Sequence, residues 1–238
     1  MSSISILRDG CEFFQVPLDQ EKEKKFERYY ELLVKWNEVM NLTAITEREE
    51  VMQKHFVDSL ALAKAVDLSG CETLIDVGTG AGFPGLPLKI VFPRLKVVLL
   101  DSLNKRIRFL NEVIEELGLE NVETIHGRAE DMAKQKEYRE NFDLCVSRAV
   151  ANLSSLSEYC IPYVKQGGMF VSYKSGTAEE EAEQAKKAIY LLGGETKKIE
   201  KFQLPGSDIQ RSLIVVEKVR TTPKKYPRKS GIPGKEPL

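Results

Sequence analysis

The sequence predicts an α/β fold: a doubly wound, mostly parallel seven-stranded sheet with an N-terminal helical extension. Three observations lead there. From Thr73 onward, short apolar runs alternate with helical periodicity, as in a parallel sheet covered by helices on both faces. The first run, Leu74, Ile75 and Val77, stops at the glycines Gly78, Gly80, Gly82 and Gly85. The last two runs are joined by Pro205-Gly206-Ser207-Asp208, too short for a crossover helix, so they must pair antiparallel.

Each element has its own signal. In residues 1–70, Phe26, Tyr29, Tyr30, Leu33, Val34 and Trp36 recur at helical spacing, giving an amphipathic helix from an N-cap at Asp19 to about Met40. Thr46 and Glu49 resemble a capping box for a short second helix, and Phe56, Leu60, Leu62, Ala63 and Val66 carry a third. This helical section is expected to pack on the sheet, with His55 as a structural residue. Residues 71–219 supply the strand and helix alternation. Strands are read at Thr73–Val77, Lys96–Asp101, the V-E-T-I-H-G run ending at Gly127, and F-D-L-C-V-S-R-A from Phe142. The fifth, G-M-F-V-S-Y-K-S, follows a Gly167-Gly168 turn, and the last two run from Glu195 to Leu204 and from Arg211 to Val219. Helices are read near Gly85, over Asn104–Leu117 with Gly118 as the stop, through Leu156 and Tyr159, and over Ala178–Leu192.

Composition bounds the function. At 238 residues with 42% hydrophobic content, the chain can bury one sizeable core. Cys11, Cys71, Cys145 and Cys160 have no C-x-x-C spacing, which argues against zinc and against a disulfide framework. No apolar run reaches membrane length, and the start lacks a signal-peptide pattern, so a cytoplasmic location is expected. The 35 basic and 36 acidic residues nearly cancel, but seven basic residues and one acid lie in the segment 218–238. Prolines and glycines there predict an extended basic tail at 220–238, with Lys224, Lys225, Arg228 and Lys229 available to nucleic-acid phosphates.

Strand, glycine loop and helix N-terminus form the phosphate- or nucleoside-binding arrangement of α/β proteins. Two glycine registers coexist. Asp76-x-Gly78-x-Gly80-x-Gly82 has the spacing of methyltransferases that use S-adenosylmethionine, while Gly80-x-Gly82-x-x-Gly85 satisfies a dinucleotide fingerprint. Position favours the first: the loop begins at Gly78, whose matching third position is the bulky Phe83. An acid at Asp76 also suits a cationic amino-acid ligand better than a pyrophosphate. Asp101, ending the second strand, can accept both ribose hydroxyls or cap the following helix. Ala129 and Glu130, after the third strand, fall where an adenine edge would lie.

The fourth strand leads into S-R-A-V-A-N-L, where such methyltransferases hold their target. It contains neither an Asn/Asp-Pro-Pro-aromatic run for an exocyclic amine nor a Pro-Cys nucleophile for a pyrimidine carbon. A target that is already nucleophilic, such as guanine N7, fits what remains. Arg148 can reach the base, a phosphate or the cofactor carboxylate, or pair with a carboxylate such as Asp76. Two other classes share parts of this pattern: a nicotinamide-dependent dehydrogenase, from the second glycine register, and a non-catalytic RNA-binding protein on the same fold.

D-V-G-T-G-A-G-F-P-G-L-P-L, L-L-D-S-L-N-K-R-I-R-F-L, G-R-A-E-D and V-S-R-A-V-A, with upstream N-L-T-A-I-T and H-F-V-D-S-L, resemble the ribosomal small-subunit methyltransferase G family, also known as glucose-inhibited division protein B. The resemblance spans nearly the whole chain. It implies S-adenosylmethionine-dependent methylation of N7 of one guanine near the decoding centre of bacterial 16S rRNA, an activity whose loss is linked to low-level streptomycin resistance. It implies cofactor contacts at Gly78, Phe83, Ala129, Glu130 and Arg148. Together with the reading above, the expected site is Gly78, Gly80 and Phe83 on the methionine and ribose side, Asp101 on the ribose, Ala129 and Glu130 on the adenine, and Arg148 between donor and base. The expected partner is 16S rRNA, the small subunit or its precursor, bound by a monomer.

Overall fold

The structure is a computed structural model and describes residues 3–148 and 151–238. Seven strands form one sheet in the order β3-β2-β1-β4-β5-β7-β6, with β1 Thr73–Val77, β2 Lys96–Asp101, β3 Val122–His126, β4 Phe142–Ser147, β5 Val164–Lys174, β6 Gly194–Gln203 and β7 Gln210–Lys218. The first five strands run parallel, and β7 is inserted antiparallel between β5 and β6. The chain goes one way from β1 to β2 and β3, and the other way to β4, so the strand order reverses between β1 and β4. Ligands of open α/β sheets bind at the carboxyl ends of the strands flanking such a reversal.

Side chains alternate across β1, and the alternation divides the core. Leu74 joins Phe26, Tyr29, Phe56, Leu99 and Phe109 on the face covered by the N-terminal helices. Ile75 and Val77 join Cys145, Phe170 and Ile214 on the other. Asp76 points to the first face and is completely buried.

The N-terminal section begins with helix α1, Ser3–Phe13, which periodicity from Asp19 onward does not reveal. Its Gly10 lies so close to Val57 that a Cβ would sit 2.5 Å from Val57 Cγ1. Helix α2, Gln20–Asn37, has the expected N-cap, with Asp19 accepting from Lys22 N at 2.9 Å. The Thr46 capping box does not form: the next helix starts at Arg48, with Glu47 at its N-cap and no side-chain cap. From Arg48 the chain continues through a π-helical stretch, Met52–Val57, into short α turns ending at Ala65. The extra residue per turn redirects His55 and Asp58, and such π insertions favour functional sites.

Two further readings are corrected. Gly167 and Gly168 lie inside β5, not in a turn before it. The pairing with β4 shifts there, and a Cβ on Gly168 would stand 2.6 Å from the Asp143 carbonyl oxygen. The basic segment is not an extended arm. Arg139 donates to Thr222 O at 2.8 Å and Tyr226 O at 3.0 Å, Tyr226 is buried, and Ile232–Lys235 forms a short helix. The physical reason is Glu158, whose carboxylate is fully buried and finds its charge partner in Arg228. All four cysteines are free.

Candidate active site

The loop after β1 is held from beneath by Asp76. Its Oδ2 accepts from Thr79 Oγ1 at 2.7 Å and from Gly85 N at 2.8 Å. Burial pushes this carboxyl up to about 6, against the lowering effect of those two hydrogen bonds and of Arg148. Asp76 therefore braces the loop, and its Oδ1 is buried without a partner among the described residues.

Gly78, Gly80 and Gly82 all have positive φ. At Gly82 both conformation and space demand glycine: φ is 93°, and a Cβ would lie 2.5 Å from Tyr29 Oη and 2.6 Å from Leu86 Cδ1. Tyr29, fully buried on α2, donates its hydroxyl to Ala81 O and stacks on Phe83 with centroids 5.5 Å apart. The helical extension thus supports the loop directly.

A cleft of about 230 Å³ opens beside the loop, lined by Val77, Gly78, Leu100, Asp101, Ala129 and Glu130 together with Ser102, Gly127, Arg128, Tyr159 and Gly231. Asp101 Oδ2 accepts from Gly80 N at 2.9 Å and from Arg106 Nη1 at 3.1 Å, while Oδ1 accepts from Leu103 N at 2.9 Å. The residue tied to the ribose by position is also the clasp of the glycine loop. Ala129 O accepts from the Tyr163 hydroxyl at 2.7 Å, and Glu130 Oε1 accepts from Gly231 N at 2.8 Å. The cleft thus presents glycine backbone, an apolar floor and two carboxylates. A larger groove of about 920 Å³ lies between the Ala178–Leu191 helix and β6, away from the glycine loop.

Arg148, at the end of β4, lies over the Phe83 ring with its guanidinium carbon 5.1 Å from the centroid. It donates to Asp58 Oδ2 at 2.8 Å and to the carbonyls of Lys54 and His55 in the π-helical stretch at 3.3 and 3.4 Å. The carboxylate partner is therefore Asp58, not Asp76. Asp58 also accepts from Arg211 Nε on β7 at 2.8 Å, so one buried carboxylate holds two arginines.

His55, expected as a structural residue, packs against the ring that carries Arg148. Its ring stacks on Phe83 at 4.7 Å, so the aromatic side chain that carries the Arg148 contact also carries the imidazole. Arg148 Nη2 lies 3.4 Å from Nδ1, and Nε2 lies 2.8 Å from Thr43 Oγ1. A guanidinium only donates, so Nδ1 accepts and Nε2–H donates to Thr43. Burial, reinforced by Arg148, lowers this histidine to about 3, so it is neutral at physiological pH.

Of the basic residues expected at the RNA, Lys224, Lys225 and Lys229 are exposed. Arg228 is spent on Glu158, with contacts at 3.0, 3.0 and 2.6 Å, and on the Glu236 carbonyl at 2.7 Å. Ala149 and Val150, within the S-R-A-V-A-N-L run, lie outside the described residues. Sequence reasoning missed Asp58, Arg211, Tyr29 and Gly231. The H-F-V-D-S-L motif contained His55 and Asp58, but only the fold brings them to Arg148.

Solved structures share this architecture at low identity. TrmN from Thermus thermophilus aligns with a TM-score of 0.53 and 16% identity, covering 68% of this chain and 48% of its own. A precorrin-6y C5,15-methyltransferase from Geobacter metallireducens aligns with a TM-score of 0.51 and 13% identity, covering 68% and 87%. Among sequence relatives, the ribosomal RNA small subunit methyltransferase G of Lachnoclostridium phytofermentans is 53% identical over 98% of both chains. That of Alkaliphilus metalliredigens is 51% identical over the full length of both. The family model described as rRNA small subunit methyltransferase G, GidB, matches residues 22–214. With that match and such identity along the whole chain, this protein belongs to the rRNA small subunit methyltransferase G family.

Proposed function

We propose that this protein transfers the methyl group of S-adenosylmethionine to N7 of one guanine of bacterial 16S rRNA. The observation that supports the choice of target atom is that neither of the two titratable side chains touching Arg148, Asp58 and His55, is free to act as a general base. Asp58 is engaged by two arginines, and His55 is neutral, half-buried and already accepting at Nδ1. Methylation of an exocyclic amine would need a proton removed. N7 carries a free lone pair and needs only to be held in line with the methyl group.

When bound, S-adenosylmethionine supplies an electrophilic methyl group on a sulfonium. Gly78, Gly80 and Phe83 would hold its methionine and ribose side, Asp101 the ribose hydroxyls, and Ala129 and Glu130 the adenine. Arg148, kept in place by Asp58 and by the ring of Phe83, directs its remaining donors to the guanine or to the cofactor carboxylate. The exposed Lys224, Lys225 and Lys229 meet rRNA phosphates. The protein acts as a monomer in the cytoplasm on rRNA, the small subunit or its precursor; among the described residues, no helix is long and apolar enough to cross a membrane.

Equilibrium titration tests the cofactor assignment. S-adenosylhomocysteine is expected to bind and NAD is not. Tight NAD binding with no S-adenosylhomocysteine binding would reinstate the dehydrogenase reading of the glycine loop.

A further inference from the structure

We propose that the C-terminal strap, residues 222–238, is a working part of the cofactor site: it walls one end of the cleft, and strap docking and cofactor binding stabilise each other. The inference rests on the S-adenosylmethionine reading of that cleft. The family model matches residues 22–214 and so stops short of the strap, although full-length relatives align over it.

The strap is anchored on both sides of the cleft. On one side lies the segment after β3, where Gly231 N donates to Glu130 Oε1 at 2.8 Å and Ser230 Oγ donates to Asp131 Oδ2 at 2.7 Å. On the other lies the Leu153–Cys160 helix after β4, where Ser155 Oγ donates to Pro233 O at 2.7 Å and Arg228 pairs with the buried Glu158. Gly234 comes close enough to this helix that a Cβ would sit 3.1 Å from the Tyr159 hydroxyl. Between these anchors Gly231, at φ 86°, lines the cleft itself.

The strap therefore fixes the separation of the two elements flanking the cleft and the orientation of Glu130. A carboxylate tied at one oxygen by a backbone N–H has a defined direction for its other lone pairs. Strap release would free Glu130 and let the two flanking elements move independently. By reciprocity, whatever cofactor affinity the docked strap adds, bound cofactor returns as strap stability.

Limited trypsin digestion of the intact protein, with and without saturating S-adenosylhomocysteine, tests this. Lys224, Lys225, Arg228, Lys229 and Lys235 provide cleavage sites within the strap. Cleavage there is expected to slow at least about fivefold with ligand, relative to cleavage within α2 as an internal reference. Equal slowing at both places, or none, would overturn the proposal. In parallel, Ser155→Ala and Ser230→Ala, which remove single strap anchors, are expected to weaken S-adenosylhomocysteine binding about fivefold in calorimetry. Wild-type affinity in folded variants would also overturn it. Failure of the intact protein to bind S-adenosylhomocysteine would instead remove the cofactor reading on which the proposal depends.

Discussion

Arg148 and Asp58 stand 90 residues apart in the chain and meet at 2.8 Å, joining the end of β4 to the helical extension. Arg148 is positioned by three things at once: this carboxylate, the carbonyls of the π-helical stretch and the face of Phe83. Asp58→Asn retains the size of the side chain but removes the charge that both Arg148 and Arg211 face. It is expected to lower methyl transfer about a hundredfold through misplacement of Arg148. It should also cost about 3 kcal/mol of stability, because two partly buried cations lose their counter-charge. Single-turnover kinetics and urea unfolding measure the two effects. Arg148→Lys should not rescue transfer, since an ammonium cannot reproduce the fork and the stacking.

Gly82→Ala should destabilise by about 2–3 kcal/mol, since positive φ and a clash add together. The clash is with Tyr29, which is fixed by its own hydrogen bond to Ala81 and by the rings around it. Thermal unfolding checks this. In the same protein, Gly80→Ala should perturb packing less, because a Cβ at Gly80 meets nothing within 4 Å, although its φ of 62° still strains the backbone.

Acid unfolding should carry opposed contributions from His55 and Asp76. The folded state holds His55 neutral down to about 3, whereas the unfolded chain takes up the proton near 6.5. The unfolded state therefore binds more protons between those values, and His55 makes stability fall as pH falls. Asp76 titrates near 6 when folded and near 3.8 when unfolded, so it makes stability rise as pH falls through that window. Each amounts to about 1.4 kcal/mol per pH unit where only one state is protonated, so the two nearly cancel between about pH 4 and pH 6. His55→Gln should remove one side of this balance. Measured by urea unfolding, its stability relative to wild type should rise on acidification from pH 6 to pH 4 with about that slope. A constant difference across this range would mean His55 titrates normally.

Asp101→Ala releases Gly80 N and Leu103 N and, in the proposed site, removes the acceptor for the ribose hydroxyls. Charge-assisted hydrogen bonds contribute about 1.5–3 kcal/mol, so S-adenosylhomocysteine affinity should fall at least about tenfold. Calorimetric titration gives the value directly. Asp101→Asn, which keeps one carbonyl acceptor for only one of the two amides, Gly80 or Leu103, should lose less than alanine.

The sheet was legible because its signals are local. Apolar runs bounded by glycines and acids mark β1 and β2, and the short Pro205–Asp208 link forces β6 and β7 together. The Asp19 cap was legible for the same reason. Helix α1 was not, because its buried positions Leu7, Gly10 and Cys11 include only one large apolar side chain. Around the site, the glycine loop, Asp101 and Arg148 could be assigned to strand ends by position. The partner of Arg148 could not, since choosing Asp58 over Asp76 depends on a π-helical turn that no periodicity announces. The basic segment misled for a different reason: Lys224, Lys225 and Lys229 behave as solvated charge, but Arg228 answers a buried glutamate 70 residues before it in the chain. Composition records the charge of such a residue and not its partner.

The most direct test is methyl transfer from labelled S-adenosylmethionine to rRNA from cells lacking this protein, followed by cleavage mapping at 7-methylguanosine. One labelled guanine in 16S rRNA, modified at N7, is the expected result. Label at another atom would contradict the base-free mechanism built on Arg148, Asp58 and the neutral His55. No transfer, either to naked rRNA or to immature small-subunit particles, would contradict the enzymatic assignment and leave an RNA-binding protein on a methyltransferase fold.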